Sequence, residues 1–213
     1  MNFDEFKILL SKVKNIPLPA QSSQFKMAPP FREQLLKKYK NAMLSAKKAG
    51  VLALFYPDEN DITKIILILR KTYSGVHSDQ VAFPGGKLEA HDKSLVEAAI
   101  RETYEEVGIP MHQIEVIREL TEVYIPPSNF YVKPYLGITN IVPQFIKQDD
   151  EVEELIEVFL KDLLIEDNVV NKTVSTSYNR NIEVPAFHLN GYTVWGATAM
   201  MLSEIKDLLN QTF

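Results

Sequence analysis

A short helix with clear start and stop signals follows a glycine turn near the middle of the chain. Ser94 lies three residues before Glu97, a spacing typical of a capping box, and Gly108 supplies a C-terminal stop. Between them, one face collects side chains at helical spacing: Val96, Ala99, Ile100, Thr103 and Val107. We expect this face to pack on a sheet and to hold the rest of the helix in a fixed place.

Three carboxylates lie on another face of the same helix. At about 3.6 residues per turn, Glu102, Glu105 and Glu106 cluster, and Arg101 borders them. Like charges at this spacing repel each other, so a solvated acidic face is one interpretation. A site for a divalent cation is the other, because Mg²⁺ and Mn²⁺ prefer carboxylate and water oxygens. The glycine turn directly upstream favours the cation site.

The turn before the helix reads Phe83-Pro84-Gly85-Gly86-Lys87. Glycine lets the backbone approach a ligand closely or adopt positive φ. The backbone N–H groups of Gly85 and Gly86, together with Lys87, could therefore meet phosphate oxygens. A cation held next to such a turn could bind a diphosphate and lower the pKa of an attacking water.

Together the turn and the helix resemble the Nudix box, Gly-x5-Glu-x7-Arg-Glu-U-x-Glu-Glu-x-Gly-U, in which U is aliphatic. The matching residues are Gly86, Arg101, Glu102, Glu105, Glu106, Gly108 and Ile109. There are departures: the interval from Gly86 to Arg101 is one residue longer, Asp92 replaces the first glutamate, and Thr103 occupies the first aliphatic position. The resemblance extends from roughly Gly50 to Leu209 and implies an α/β fold, a Nudix-type α/β/α sandwich with a mixed central β-sheet.

The resemblance also implies roles for individual residues. Glu102, Glu105 and Glu106 would bind Mg²⁺ or Mn²⁺, and Arg101 would orient a carboxylate. Nudix enzymes often place a further acid near the last core strand, as a base or an extra ligand. Glu151 and Glu154 are the candidates here, although acidic loops are usually only solvated.

Two features are similar to the coenzyme A pyrophosphatase branch of this family. One is the box that is longer by one residue, and the other is the run before it, Gln80-Val81-Ala82-Phe83-Pro84-Gly85-Gly86. Substrate contacts are therefore expected from Arg70, His77, Gln80, Gly85, Gly86 and Lys87. Gly75 replaces an arginine of that branch and Asp79 replaces a glycine, which puts one phosphate contact in doubt. A purely structural role is an equally open interpretation for His77 and for Arg70.

The chain divides into an N-terminal helical extension, residues 1–48, and the Nudix hydrolase domain, residues 49–213. Residues 3–14 have the pattern of an amphipathic helix, and a linker is expected through Ser22-Ser23. Strands are expected over residues 50–56, 65–69, 114–123 and 130–138, with Lys133-Pro134-Tyr135 suggesting an edge or bulge. Residues 168–188 favour a hairpin around 179–181, and the last helix follows Trp195.

Composition narrows the setting. The 213 residues include no cysteine, which excludes disulfides and thiolate chemistry and fits a reducing compartment. The net charge of −5 and the lack of a basic stripe argue against nucleic-acid binding. With no signal-peptide pattern and no apolar run of about 20 residues, we expect a cytoplasmic protein that binds a small-molecule nucleotide derivative and no membrane. A homodimer is left open, because the extension could cover the core or a partner subunit.

These features predict metal-dependent hydrolysis of a pyrophosphate bond in a nucleoside diphosphate derivative. Coenzyme A or an acyl form is the favoured substrate, giving 3′,5′-ADP and 4′-phosphopantetheine or its acyl form. Two alternatives stay open. The first is the same chemistry on ADP-ribose or a dinucleoside polyphosphate, and the second is a nucleotide-binding module of this fold without catalysis.

Overall fold

The computed structural model describes residues 1–71, 80–175 and 181–212. The helices in these ranges are α1 Phe3–Val13, α2 Ala20–Gln24, α3 Arg32–Lys38, α4 Leu95–Val107, α5 Leu160–Leu164 and α6 Gly196–Asn210. The strands are β1 Lys47–Pro57, β2 Thr63–Arg70, β3 Val81–Ala82, β4 Gly85–Lys87, β5 Glu115–Glu119, β6 Val123–Ile125, β7 Phe130–Ile138, β8 Val152–Phe159, β9 Val169–Val174, β10 Ile182–Leu189 and β11 Tyr192–Trp195. None of the helices in these ranges has the length and apolar character needed to cross a bilayer.

A long strand, buried over most of its length, forms the middle of the main sheet. The apolar run from Gly50 to Tyr56 lies within β1, as the sequence predicts for a strand covered on both faces. β1 pairs in parallel with β7 and antiparallel with β2 and β4. β2 also pairs with β3 and β8, and β7 also pairs with β5 and β6. The main sheet is therefore mixed.

A second, three-stranded sheet has the order β11-β10-β9. The predicted hairpin is present as the antiparallel pair β9 and β10, although most of its turn lies outside the described residues.

Helices cover the main sheet on both faces. On one face α4 packs through Val107 against Leu52 and Leu54, and on the other α1 and α6 pack through Phe6 and Ile205. At Gly50 the approach of α4 is so close that a Cβ would lie 2.1 Å from the Leu95 carbonyl oxygen. The predicted α/β/α sandwich with a mixed central sheet is confirmed.

The N-terminal helix α1 belongs to the same core. The Glu5 amide donates to Asn2 Oδ1 at 2.8 Å and the Asn2 amide donates to Glu5 Oε2 at 3.2 Å, a complete capping box. The buried apolar face consists of Phe3, Phe6, Leu10 and Val13, which join the cluster that contains α6 and the sheet. The amphipathic helix is confirmed, and the domain boundary after residue 48 stays an expectation.

Two local predictions are wrong. Ser23 lies in α2 instead of a linker, because this segment docks on α6 and the Ser23 carbonyl accepts a hydrogen bond from Ser203 Oγ at 2.8 Å. β7 is not an edge strand, since it pairs with β1 on one side and with β5 and β6 on the other, so the predicted edge is wrong; the alternative, a bulge, has a counterpart in the register shift of the β5–β7 pairing opposite Leu136 and Gly137. Pro134 lies beside the gap between β5 and β6. Its carbonyl accepts a hydrogen bond from the Leu120 amide at 2.9 Å, and no described strand in this gap requires the N–H that proline lacks. The predicted strand over 114–123 is interrupted at the same gap.

Candidate active site

α4 begins and ends where the sequence predicts. Ser94 Oγ accepts a hydrogen bond from the Glu97 amide at 3.3 Å, and Gly108 adopts φ of 81° directly after the last helical residue. The Glu97 carboxylate accepts from the Lys93 amide at 2.8 Å, one residue before the position expected for a capping box. These caps fix the direction in which the acidic side chains project.

The buried face of α4 is rotated from the one that the sequence predicts. Its buried residues are Ala98, Ala99, Thr103, Glu106 and Val107. Val96 and Ile100 are only partly buried. The difference arises because small side chains let α4 lie close to β1, which turns Glu106 inward instead of toward solvent.

Glu106 is a buried carboxylate at the glycine turn. Its Oε2 accepts a hydrogen bond from the Gly85 amide at 2.8 Å. Its Oε1 is buried, finds no hydrogen-bond donor in the described part of the chain, and lies 3.6 Å from Arg70 Nη1. Burial raises the pKa of Glu106 to about 8. The Gly85 hydrogen bond and the charge of Arg70 lower this pKa, and the charges of Glu102 and Glu151 raise it further. A buried carboxylate oxygen without a donor favours a cation beside it.

Glu102 lies against the glycine turn from the other side. A Cβ on Gly86 would come within 2.2 Å of Glu102 Oε1, so only glycine leaves room for this carboxylate. Burial raises the pKa of Glu102; the charge of Arg101 opposes this, while the charges of Glu105 and Glu151 add to it. The charge of Glu151, which directly precedes β8, thus raises the pKa of both Glu102 and Glu106 on α4.

Arg101 ties the acidic side chains together. Its Nη1 donates to Glu102 Oε1 at 3.0 Å and to Glu105 Oε2 at 2.8 Å, and its Nε and Nη2 each donate to Asp92 at 3.0 Å. Nη2 also donates to the Lys87 carbonyl at 3.2 Å. The guanidinium holds the pKa of Asp92 below its ordinary value, so Asp92 is an ionised anchor for Arg101.

Beside these carboxylates lies a cavity of about 960 Å³. Five predicted substrate residues line it, namely Arg70, Gln80, Gly85, Gly86 and Lys87, and so do Glu102 and Glu151. Away from the turn its lining is mostly apolar, with side chains from β6, β7, α6 and the start of α3, and it includes Arg32 and Ser128. The arrangement can hold a charged group at one end and an apolar group at the other.

The remaining predicted residues lie elsewhere. Glu154 is not among the described residues that line the cavity, and its carboxylate accepts a hydrogen bond from the Tyr192 hydroxyl. Glu151 precedes β8, whereas Glu154 lies within the strand, opposite Leu69, with an exposed side chain. His77 lies outside the described residues.

Sequence reasoning missed one wall of the cavity. Phe31 and Leu35, at the start of α3, line it together with Met200 and Met201 of α6. The spacing of Phe31 and Leu35 places them on one side of a helix, a signal that the sequence contained. The sequence did not show which surface they would contact.

The donor set fits a hard divalent cation. Glu102 and Glu106 present carboxyl oxygens at the glycine turn, and Glu106 Oε1 is a buried oxygen with no hydrogen-bond donor in the described part of the chain. Glu105 is half-exposed and paired with Arg101. Within residues 1–71, 80–175 and 181–212, no three acidic or histidine side chains form a complete ligand set. The assignment of the ion to Glu102, Glu105 and Glu106 stays a prediction.

The chain is similar to known proteins in sequence. The NUDIX domain family model matches residues 46–173. Two curated relatives, from Pectobacterium atrosepticum and Yersinia pestis, are each named an uncharacterized Nudix hydrolase NudL and are each 31% identical to this chain. The similarity to the first relative covers 66% of this chain and 72% of that protein. The similarity to the second covers 67% of this chain and 71% of that protein.

Solved structures share the fold. A Nudix hydrolase from M. smegmatis, RenU, gives a TM-score of 0.54 at 17% identity, over 78% of this chain and 87% of that one. A MutT/nudix family protein from Enterococcus faecalis gives 0.50 at 16% identity, over 86% of this chain and 75% of that one. Since the family model matches more than half of the chain and the curated relatives are 31% identical to it, the chain belongs to the Nudix hydrolases and is a pyrophosphohydrolase.

Proposed function

We propose that the protein hydrolyses the pyrophosphate bond of coenzyme A or of an acyl-coenzyme A. Water would form a bond to one phosphorus, the bond from that phosphorus to the bridging oxygen would break, and the bridging oxygen would leave on the other phosphate. The products are 3′,5′-ADP and 4′-phosphopantetheine or its acyl form. The observation that carries the chemistry is the buried, donor-free Oε1 of Glu106 beside Glu102 and the Gly85-Gly86 turn.

The acidic side chains have different parts in this proposal. Glu102 and Glu106 would hold Mg²⁺ or Mn²⁺, with Glu105 as the third ligand that the family resemblance predicts. A bound ion of this kind neutralises charge on the diphosphate and lowers the pKa of water. Arg101 would fix Glu102 and Glu105 through its Nη1 while Asp92 holds the other side of its guanidinium.

We assign to Glu151 the role of the general base, the group that accepts a proton from the attacking water. It lines the cavity together with Glu102, and its charge raises the pKa of both Glu102 and Glu106. Its carboxylate would accept the proton that the attacking water loses. Arg70 and Lys87, which line the same end, would pair with the diphosphate oxygens.

The choice of substrate rests on the residues from Gln80 to Gly86 and on the shape of the cavity. The run is similar to the coenzyme A pyrophosphatase branch, and it forms β3, the turn and the start of β4 at the cavity wall. The apolar side chains away from the turn would contact the hydrocarbon groups of the pantetheine arm and of an acyl chain attached to it. Gly75 and Asp79, which depart from that branch, lie outside the described residues.

A side-by-side release assay tests the proposal. Purified protein with Mg²⁺ or Mn²⁺ is given coenzyme A, ADP-ribose and a diadenosine polyphosphate, and the products are separated by chromatography. We expect coenzyme A to be preferred, and Glu106→Gln to lose the activity while Glu115→Gln, an exposed control on β5, keeps it. Preference for another diphosphate would retain the chemistry and reject coenzyme A. Turnover that Glu106→Gln does not change would reject the site.

A further inference from the structure

The cavity extends across several strands of the main sheet. Ala49 on β1 is opposite Lys87 on β4 and opposite Val132 on β7, and Phe130 on β7 is opposite Ile125 on β6. Neighbouring strands lie about 4.8 Å apart, so the cavity leads from the glycine turn across about 10–15 Å of sheet. A ligand whose diphosphate lies at the turn would reach the far end only with an extended second substituent.

The far end is lined mainly by apolar side chains. Six of them come from four elements: Phe31, Leu35, Ile125, Phe130, Met200 and Met201. Among the charged lining residues, Arg70, Lys87, Glu102 and Glu151 belong with the glycine turn and its carboxylates, whereas Arg32 lies between Phe31 and Leu35 and donates to the Tyr124 carbonyl. Apolar surface of this kind favours an apolar substituent, because burying it removes hydrocarbon from water.

Polar contacts fix this wall at both ends. On one side the Gln24 amide donates to Glu204 Oε2 at 2.9 Å, which joins α2 to α6. On the other side Arg32 Nη2 donates to the Tyr124 carbonyl at 2.6 Å, which joins α3 to β6. The segment from Pro29 to Leu35 is thus held over the cavity by the chain on either side of it.

The wall lies outside the part of the chain that matches the family. Residues 29–35 and 196–201 fall outside residues 46–173, whereas the residues of the glycine turn and Glu102 fall inside. The matched range therefore contains the diphosphate end of the cavity and the β6 and β7 side of the far end, and residues outside that range complete the far end.

We propose that the N-terminal segment Pro29–Leu35 is a specificity-determining wall of the substrate site, with Phe31 and Leu35 in contact with the apolar arm of an acyl-bearing diphosphate. This inference rests on one part of the proposed function, the binding of the diphosphate at the glycine turn, and not on its hydrolysis. It adds that an acyl chain, and not only the nucleotide, contributes to binding, and that residues outside the region that matches the family recognise it.

Paired binding measurements test the wall separately from the chemistry. Calorimetry in EDTA gives the dissociation constants of coenzyme A and octanoyl-coenzyme A, and assays with Mg²⁺ give kcat/KM for the same pair. The variants are Leu35→Asn, which makes the wall polar, and Leu35→Trp, which fills the space. Leu36→Asn is the matched control, since Leu36 is the next residue of α3, is also partly buried, and is not among the cavity-lining residues.

We expect the wild type and Leu36→Asn to bind octanoyl-coenzyme A about tenfold or more tightly than coenzyme A. Both Leu35 variants should reduce this ratio to near unity and leave coenzyme A itself almost unaffected. Equal binding of the two ligands by the wild type, or an unchanged ratio in both Leu35 variants, would overturn the inference. A preserved ratio without any hydrolysis would instead reject the proposed function and leave the inference standing.

Discussion

Glu106 Oε2 accepts a hydrogen bond from the backbone amide of Gly85 at 2.8 Å, across 21 positions of the sequence. The acidic helix and the glycine turn are therefore one unit, held together by a carboxylate that is buried in the process. The second oxygen of the same carboxylate has no donor in the described part of the chain, which is why we assign it to a cation.

The burial of Glu106 predicts an unusual pH dependence of stability in EDTA. Its pKa is about 8 in the folded protein, against an ordinary value of 4.5 for a glutamate side chain in water. The unfolded chain therefore ionises first, so the contribution to stability is complete below about pH 4.5 and is lost as pH rises to about 8, at about 1.4 kcal/mol per pH unit. Urea unfolding across this range should show the loss, and Glu106→Gln should remove most of it. An equal slope in both proteins would contradict a raised pKa of Glu106 in the folded protein.

Metal binding should couple to the same proton. Because the ion requires the carboxylate form, adding Mg²⁺ or Mn²⁺ near pH 7 should release protons and restore stability. Calorimetric titrations in two buffers of different ionisation enthalpy measure the release directly. Glu106→Gln should release fewer protons than the wild type, and identical release would argue that another group is the ligand.

Arg101→Lys should lower kcat while leaving the protein folded. The planar guanidinium of Arg101 bonds to Asp92, Glu102 and Glu105 at once. A lysine lacks this fork of donors, so Glu102 and Glu105 would lose their common partner. A decrease of about 10- to 100-fold is typical of residues that orient metal ligands. The melting temperature serves as the control, and the shift in metal dependence separates an effect on ion binding from a general loss of structure.

Gly86→Ala tests the contact between the turn and Glu102. The new Cβ would come within 2.2 Å of Glu102 Oε1 and must displace that carboxylate. Gly86→Ala and Glu102→Ala should each reduce kcat strongly, and the double variant should be little worse than either, because both remove one interaction. Additive losses would show that Gly86 acts through something other than Glu102.

Glu151, directly before β8, and Glu154, within β8, should behave differently. Glu151→Gln should reduce kcat by about 100-fold or more, as expected for a proton acceptor. Glu154→Gln should leave kcat nearly unchanged, because the Glu154 carboxylate is bound to the Tyr192 hydroxyl. The reverse order of effects in a steady-state assay would overturn the assignment of the proton to Glu151.

The buried Glu204 should stabilise the fold without acting in the reaction. Its carboxylate accepts hydrogen bonds from Gln24 and from the Thr121 hydroxyl and amide. Glu204→Ala leaves these donors unpaired and should reduce the free energy of unfolding by about 1–3 kcal/mol. Denaturant unfolding measures it, with Glu183→Ala, an exposed residue on β10, as the control.

Local signals explain what the sequence could predict. The caps at Ser94 and Gly108, the acidic spacing on α4 and the apolar runs of β1 and β2 act over a few residues, and each is present in the fold. The α/β/α sandwich followed from the family resemblance that these signals support.

Features that depend on packing between distant parts of the chain could not be predicted from the sequence. The inward rotation of Glu106 depends on how closely α4 lies on β1 at Gly50, a distance that spacing within α4 does not encode. The wall at Phe31 and Leu35 depends on contacts such as Gln24 with Glu204, which are 180 positions apart. Pro134 suggested an edge because the sequence does not show that β5 and β6 leave a gap beside it.

Hydrolysis of coenzyme A in oxygen-18 water, with Mg²⁺ and mass analysis of the products, tests the central claim most directly. We predict 3′,5′-ADP and 4′-phosphopantetheine, with one labelled oxygen on only one of the two phosphates, and loss of both products in Glu106→Gln. Cleavage at another bond, products without the label, or equal turnover by Glu106→Gln would contradict it.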